Sequence, residues 1–335
     1  DILKINPNDF NTFNNIGIIF ELIGDNNKAI EAYKQAVRIN PNHAKSINNI
    51  GVVLYKQKKY KESAQIFEIA LQVDENYFEV YSNKGAAYNK AKEYDKAIES
   101  LEMAILKMPN HGGAYTNLGN VYNKLHDYEK ASKLHEKSIE LEPNGSNAYS
   151  NLGTSYKYLG LSNKAISSYK KAIELDPNFV NAHFDLATMY LAMEDFENGW
   201  KEYEWRFKKE EMIPHIIRHK DIFSKPLFTG AEDIKGKILL LHSEQGYGDS
   251  IQFIRFLPQI KEKFGCKIAV KCREGLKELF QTMSEIDVIA DRNEATPQFD
   301  YQLSIMSMPF VLGMKSINDL PKRIPYLKST PYKEL

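Results

Sequence analysis

Small and apolar positions return along this chain at a fixed step. Gly17, Gly51, Gly85, Gly119 and Gly153 stand 34 residues apart, and Ala187 falls at the next step. Twelve residues after each come Ala29, Ser63, Ala97, Ala131, Ala165 and Gly199, and nineteen after come Ala36, Ala70, Ala104, Ser138 and Ala172. Phe20, Leu54, Tyr88, Tyr122, Tyr156 and Tyr190 stand three residues behind the glycine row, and Pro7, Pro41, Pro109, Pro143 and Pro177 close the units. Small residues let two helices approach closely, a large one fills the space between units, and a proline ends a helix. After Pro214 the helical period gives way to short apolar runs separated by Gly and Asp, the pattern of alternating strand and helix.

This spacing resembles the tetratricopeptide (TPR) family, whose 34-residue unit is a helix–turn–helix that stacks into a superhelical α-solenoid. The resemblance covers residues 1–213, about six repeats, with Pro7 closing an earlier one. On this reading the chain begins inside a solenoid. The sixth unit departs from the pattern: Arg206 stands where the others carry a small residue, Glu211 replaces the closing proline, and Trp200 and Trp205 both lie here. These large side chains are expected to end the array by packing against the next part of the chain.

Two residues before each glycine runs a polar row, Asn15, Asn49, Asn83, Asn117 and Asn151, then Asp185. This position faces inward in the TPR superhelix. A primary amide both donates and accepts, so a row of them can hold an extended peptide by its backbone. The row resembles the asparagine ladder of O-GlcNAc transferase. The same amides can instead bond within or between repeats, and both uses stay open. Lys56, Lys90 and Lys124 recur beside the row and suit an acidic peptide or a solvated face.

The second region, residues 237–330 behind a joint at 214–236, reads as strand 237–241, helix 250–263, strand 266–271, helix 274–283, strands 287–290 and 299–303, and a short helix 306–313. That is a small parallel α/β unit of Rossmann type, and the fold class is α plus α/β. The loop Gln245-Gly246-Tyr247-Gly248 before Asp249 and Ser250 is the one place that suits ligand chemistry, since its glycines let backbone approach a ligand. Ile251 stands where a dinucleotide fingerprint needs its third glycine. A tight turn with Asp249 near the helix cap is the structural alternative.

The run Glu244 to Pro258 (EQGYGDSIQFIRFLP), with Phe299 to Gln302, Met306 to Pro309 and the Gly199-Trp200…Tyr203-Glu204-Trp205-Arg206-Phe207 helix, resembles bacterial proteins that join TPRs to a heptosyltransferase-like, GT-B type glycosyltransferase domain. The resemblance implies that residues 237–330 are the acceptor-side half. Gly248 and Asp249 would line the acceptor cleft, with Asp249 the catalytic base and Gln245, Gly246, Gly248 and Ser250 the ligand loop. The nucleotide-sugar donor would bind in a second such domain, expected beyond Leu335, so this chain alone binds without turnover.

Composition narrows the partners. Lys plus Arg and Asp plus Glu number 44 each. That balance disfavours nucleic acid and acidic membrane surfaces, both of which call for a basic excess. Cys266 and Cys272 make neither a zinc site nor a disulfide framework, which points to a reducing, cytoplasmic location. No apolar run is long enough to span a membrane. His215 and His219 are best read as loop histidines, so no metal and no cofactor is expected. Two functions remain: a TPR module attached to part of a glycosyltransferase, or a non-catalytic scaffold that binds proteins or peptides through its concave row.

Overall fold

The computed structural model describes residues 8–212, 220–244, 246–322 and 324–328. The chain divides into two compact units, Asp1–Pro177 and Asn178–Leu335. The expected closing proline Pro7, Gln245, the histidines 215 and 219, and Leu335 lie outside the described residues.

The described residues of the first unit form five helix pairs: α1 (Phe10–Leu22) with α2 (Asn26–Ile39), α3 (Ala44–Lys56) with α4 (Tyr60–Val73), α5 (Phe78–Lys90) with α6 (Tyr94–Lys107), α7 (Gly112–Lys124) with α8 (Tyr128–Leu141), and α9 (Ser146–Tyr158) with α10 (Ser162–Leu175). The glycine row explains the pairing. A Cβ at Gly17 would sit 2.4 Å from the Tyr33 ring, one at Gly51 2.6 Å from Phe67, and one at Gly153 2.7 Å from Tyr169. Only glycine lets the second helix lie so close. Ala29, Ala97, Ala131 and Ala165 are buried completely at the same contact, and the Ser63 hydroxyl donates to the Gly51 carbonyl at 2.7 Å.

Each pair turns through one left-handed residue. Gly24 (φ 81°) and Gly160 (φ 73°) suit it, but Lys58, Lys92 and His126 adopt φ of 62°, 63° and 63° without being glycine. A lysine eleven residues after the glycine covers the aromatic three residues after it: Lys28 over Phe20, Lys96 over Tyr88, Lys130 over Tyr122 and Lys164 over Tyr156, at 5.0–5.5 Å. Each such contact contributes about 0.5–1 kcal/mol at an exposed site.

The second unit opens with a sixth pair, α11 (Val180–Ala192) and α12 (Phe196–Tyr203). Helix α12 is short because the chain tightens into a 3₁₀ turn at Glu204–Lys208. A four-stranded sheet comes next: β1 (Ile238–His242), β2 (Lys267–Cys272), β3 (Val288–Asp291) and β4 (Tyr301–Ser304), in the order β3-β2-β1-β4 and parallel throughout. Leu239, Leu240 and Leu241 are fully buried, as a strand covered on both faces requires. Residues 226–228 run beside β4, with the Phe228 N–H on the Gln302 carbonyl and the Gln302 N–H on the Pro226 carbonyl, both 2.9 Å. The main core joins Leu239, Leu241, Ile254, Leu257, Ile268 and Leu303 to Phe196, Trp200 and Tyr203 of α12.

Two helices differ from expectation. The one expected at 250–263 opens at Tyr247 and breaks into α14 (Tyr247–Phe253), a 3₁₀ turn at Ile254–Phe256, and α15 (Leu257–Phe264). Pro258 causes the break, since its ring excludes the carbonyl of Ile254 and it has no N–H to offer. The helix expected at 274–283 is a single turn, α16 (Lys277–Phe280), in a stretch held by turns on either side. The other α-helices among the described residues of the unit are α13 (Lys220–Phe223) and α17 (Met308–Leu312).

Candidate functional site

In the first unit, the first helices of successive repeats touch directly, α3 with α5, α5 with α7 and α7 with α9, so they form one continuous face. The asparagines lie on these helices, and three of them bond between repeats. Asn49 donates one amide N–H to Asn14 Oδ1 at 3.1 Å, Asn83 one to Asn48 Oδ1 at 3.1 Å, and Asn117 one to Ser82 Oγ at 3.2 Å. Each rung thus ties its repeat to the one before. All three are partly exposed, and each has a second N–H and a carbonyl oxygen outside that bond.

The pattern stops at Asn151. Thr116 stands at the acceptor position that Asn14, Asn48 and Ser82 hold for the other rungs, and it pairs its hydroxyl with Ser138 at 2.7 Å. Asn15 stands exposed at the first described repeat. Asp185 lies on α11 of the second unit, and its hydroxyl neighbour Thr188 bonds the Asp185 carbonyl at 2.7 Å. Lys56 is not a free cation for a peptide, because it pairs with Glu21 at 2.5 Å.

In the second unit the chain runs from β1 to β2 and β3 on one side, then crosses to β4 on the other. A parallel sheet opens a ligand crevice at such a reversal, outside the carboxyl ends of the two diverging strands. Here that position holds Arg206. Its Nε lies 3.0 Å and its Nη2 2.6 Å from Glu244 Oε1 just after β1, and Nη2 is 2.7 Å from Ser307 Oγ just after β4. Nη1 bonds Glu204 Oε1 at 2.6 Å and the Tyr203 carbonyl at 3.2 Å. Ser304 donates to Glu244, and Ser307 to Glu204 at 2.8 Å. Arg206 is 1% exposed. Burial alone would push its pKa down, but the facing Glu244 and Glu204 carboxylates overcome this and raise it.

The expected ligand loop lies beside this network. Asp249 is the third residue of α14, and its Oδ2 accepts the Gly246 N–H at 3.1 Å. Ser250 is turned inward, its hydroxyl 3.0 Å from Ser243 Oγ and 3.1 Å from the Gly246 carbonyl, so it closes the loop on itself. Gly246 is in an ordinary extended conformation, and apart from its chain neighbours and the backbone of its own helix no atom lies within 4 Å of where a Gly248 Cβ would be, which leaves room there. The Arg206–Glu244–Ser307 cluster did not enter the expected site. Its one sequence signal is a charged residue in a slot that the other repeats fill with Ala or Ser.

Among the described residues, no group of three or more His, Cys, Asp or Glu is placed to hold a metal, and no helix is long and apolar enough to cross a membrane.

Tetratricopeptide-repeat family models match residues 22–58, 44–77, 77–142, 111–178 and 168–202. Together they run without a gap from residue 22 to 202, more than half of the chain. The chain is 29% identical to protein FlbA of Caulobacter vibrioides, over 42% of this chain and 26% of that protein. It thus spans about a quarter of the length of that relative. Among solved structures it is similar in fold to a chain of the APC/C hetero-tetramer Cut9–Hcn1 (TM-score 0.59, 16% identity, 66% of this chain and 43% of that one) and to PilF of Pseudomonas aeruginosa (TM-score 0.52, 18% identity, 64% and 96%). These matches fall on the 34-residue pattern and on the helix pairs it builds: the chain is a tetratricopeptide-repeat protein, a protein-interaction module.

Proposed function

We propose that the first-helix face of the first unit holds an extended polypeptide, with Asn49, Asn83 and Asn117 as the central rungs and Asn15 and Asn151 as further candidates. The observation that carries this reading is the half-used amide. One N–H fixes each rung against the repeat before, and the other polar atoms stay in place to meet a peptide group. Pre-positioned amides lose little freedom on binding, so the roughly 1 kcal/mol that one such bond contributes is not cancelled by ordering. Selection of a random nonapeptide library on the chain tests it. Enrichment of peptides that no longer bind after Asn49→Ala, Asn83→Ala and Asn117→Ala together supports the reading, and peptides that bind both proteins alike contradict it.

For residues 237–330 we infer the acceptor-side half of a heptosyltransferase-like glycosyltransferase. Asp249, partly exposed beside the space at Gly248, would take the proton from an acceptor hydroxyl. The nucleotide sugar of such enzymes binds in a second α/β domain, so this half is assigned binding and not turnover by itself. A second reading, a non-catalytic scaffold, is favoured by Arg206, which fills the crevice where a ligand of the sheet would enter.

A further inference from the structure

Beside the central rung of the asparagine row is a cavity of about 150 Å³ between α3 and α5, lined by Val52, Tyr55, Phe67, Asn83 and Ala86. Its origin can be read from the repeat. The residue after each glycine of the row is Ile18, Val52 and Ala86 in the first three repeats and Asn120 and Thr154 in the next two. Side-chain size therefore falls from Ile18 to Ala86, and apolar character ends after Ala86. The floor is the Phe67 ring, held under Gly51 because that residue has no Cβ. Asn83 is the one polar side chain of the lining besides the Tyr55 hydroxyl, and its amide is anchored on Asn48 at 3.1 Å.

We propose that this cavity is the anchor pocket of the peptide groove. It takes one apolar side chain, of leucine to phenylalanine size, from an extended peptide whose backbone meets the amide of Asn83. The inference rests on the peptide-binding reading above and adds a side-chain preference to it. Three observations select this occupant. An apolar cavity of about 150 Å³ is the size that holds a benzene-sized group. The rung at its edge offers a donor and an acceptor to a peptide bond, which an apolar small molecule would leave unused. The apolar stretch of the face is confined to the first three repeats, so one anchor and a polar continuation are expected rather than a continuous hydrophobic strip.

The probe is a fluorescein-labelled Gly-Ser nonapeptide with a single central leucine, compared with the same peptide carrying alanine. By fluorescence polarisation on the full chain, the leucine peptide is expected to bind about tenfold tighter, the gain from burying the larger side chain. Ala86→Leu fills the cavity with a residue close in size to Ile18 at the same register, and its fold is checked by melting temperature. It should abolish the leucine advantage. Equal affinity of the two peptides for the native chain, or an advantage that survives Ala86→Leu, overturns the pocket. The joint variant Asn49→Ala, Asn117→Ala separates the two ideas. If it weakens both peptides while their affinities are equal, the rungs stand and the pocket falls. If neither peptide binds the native chain, the rungs fall and the pocket with them.

Discussion

His135 occupies the slot that Tyr33, Phe67, Leu101 and Tyr169 fill in the other repeats of the first unit, and it is fully buried under Gly119. Burial lowers its pKa to about 4, so the folded state keeps the ring neutral, with Nε2 3.3 Å from the Asn123 amide. The unfolded chain protonates this histidine near pH 6.5 and therefore binds more protons between about pH 4 and 6.5. Stability must fall as pH drops through that window, by up to ~3 kcal/mol from this residue. His135→Phe should flatten the change in melting temperature between pH 7 and pH 4.5, and parallel curves for the two proteins would refute this. The left-handed turns give a second test. Lys92 holds φ of 63° in the position where Gly24 and Gly160 need no strain. Lys92→Gly is expected to stabilise by ~0.5–1 kcal/mol, the relieved backbone strain exceeding the added freedom of the unfolded chain. An unchanged or lower urea midpoint would count against it.

Among elements, legibility tracks the reach of the interaction. The helix pairs of the first unit are visible in the sequence because each depends on small residues at fixed offsets of twelve and nineteen residues from one glycine. The four strands are visible as apolar runs and lie within two residues of where the pattern puts them. The start of α14 is not, because the sequence pattern sets Asp249 just before the helix, whereas it sits at the third position and reaches back to the Gly246 N–H. The Arg206 cluster is out of reach for another reason. Its partners Glu244 and Ser307 are 38 and 101 residues away in sequence, and no local period encodes them. The cluster makes a sharp prediction for α12 and the turn after it. Arg206→Ala leaves Glu244 buried without its cation and should destabilise the second unit by ~3–5 kcal/mol. Both tryptophans of the chain, Trp200 and Trp205, belong to this unit. Urea unfolding followed by tryptophan fluorescence therefore reads it, and a midpoint matching the native chain would contradict the role given to Arg206.

At the scale of the whole chain, the two units carry different kinds of chemistry. The first repeats one contact scheme and so offers the same polar group several times along a face. The second places its polar groups once, at the carboxyl ends of β1 and β4, and closes them around an arginine. Repetition suits a partner that is itself repetitive, a peptide backbone, and that match is the centre of the account. Calorimetric titration of one library-selected nonapeptide into the native chain and into the Asn49→Ala, Asn83→Ala, Asn117→Ala variant tests it most directly. At about 1 kcal/mol for each rung the variant is expected to lose roughly a hundredfold in affinity, with the fold intact by circular dichroism. Equal affinities would mean that the amides only join repeat to repeat.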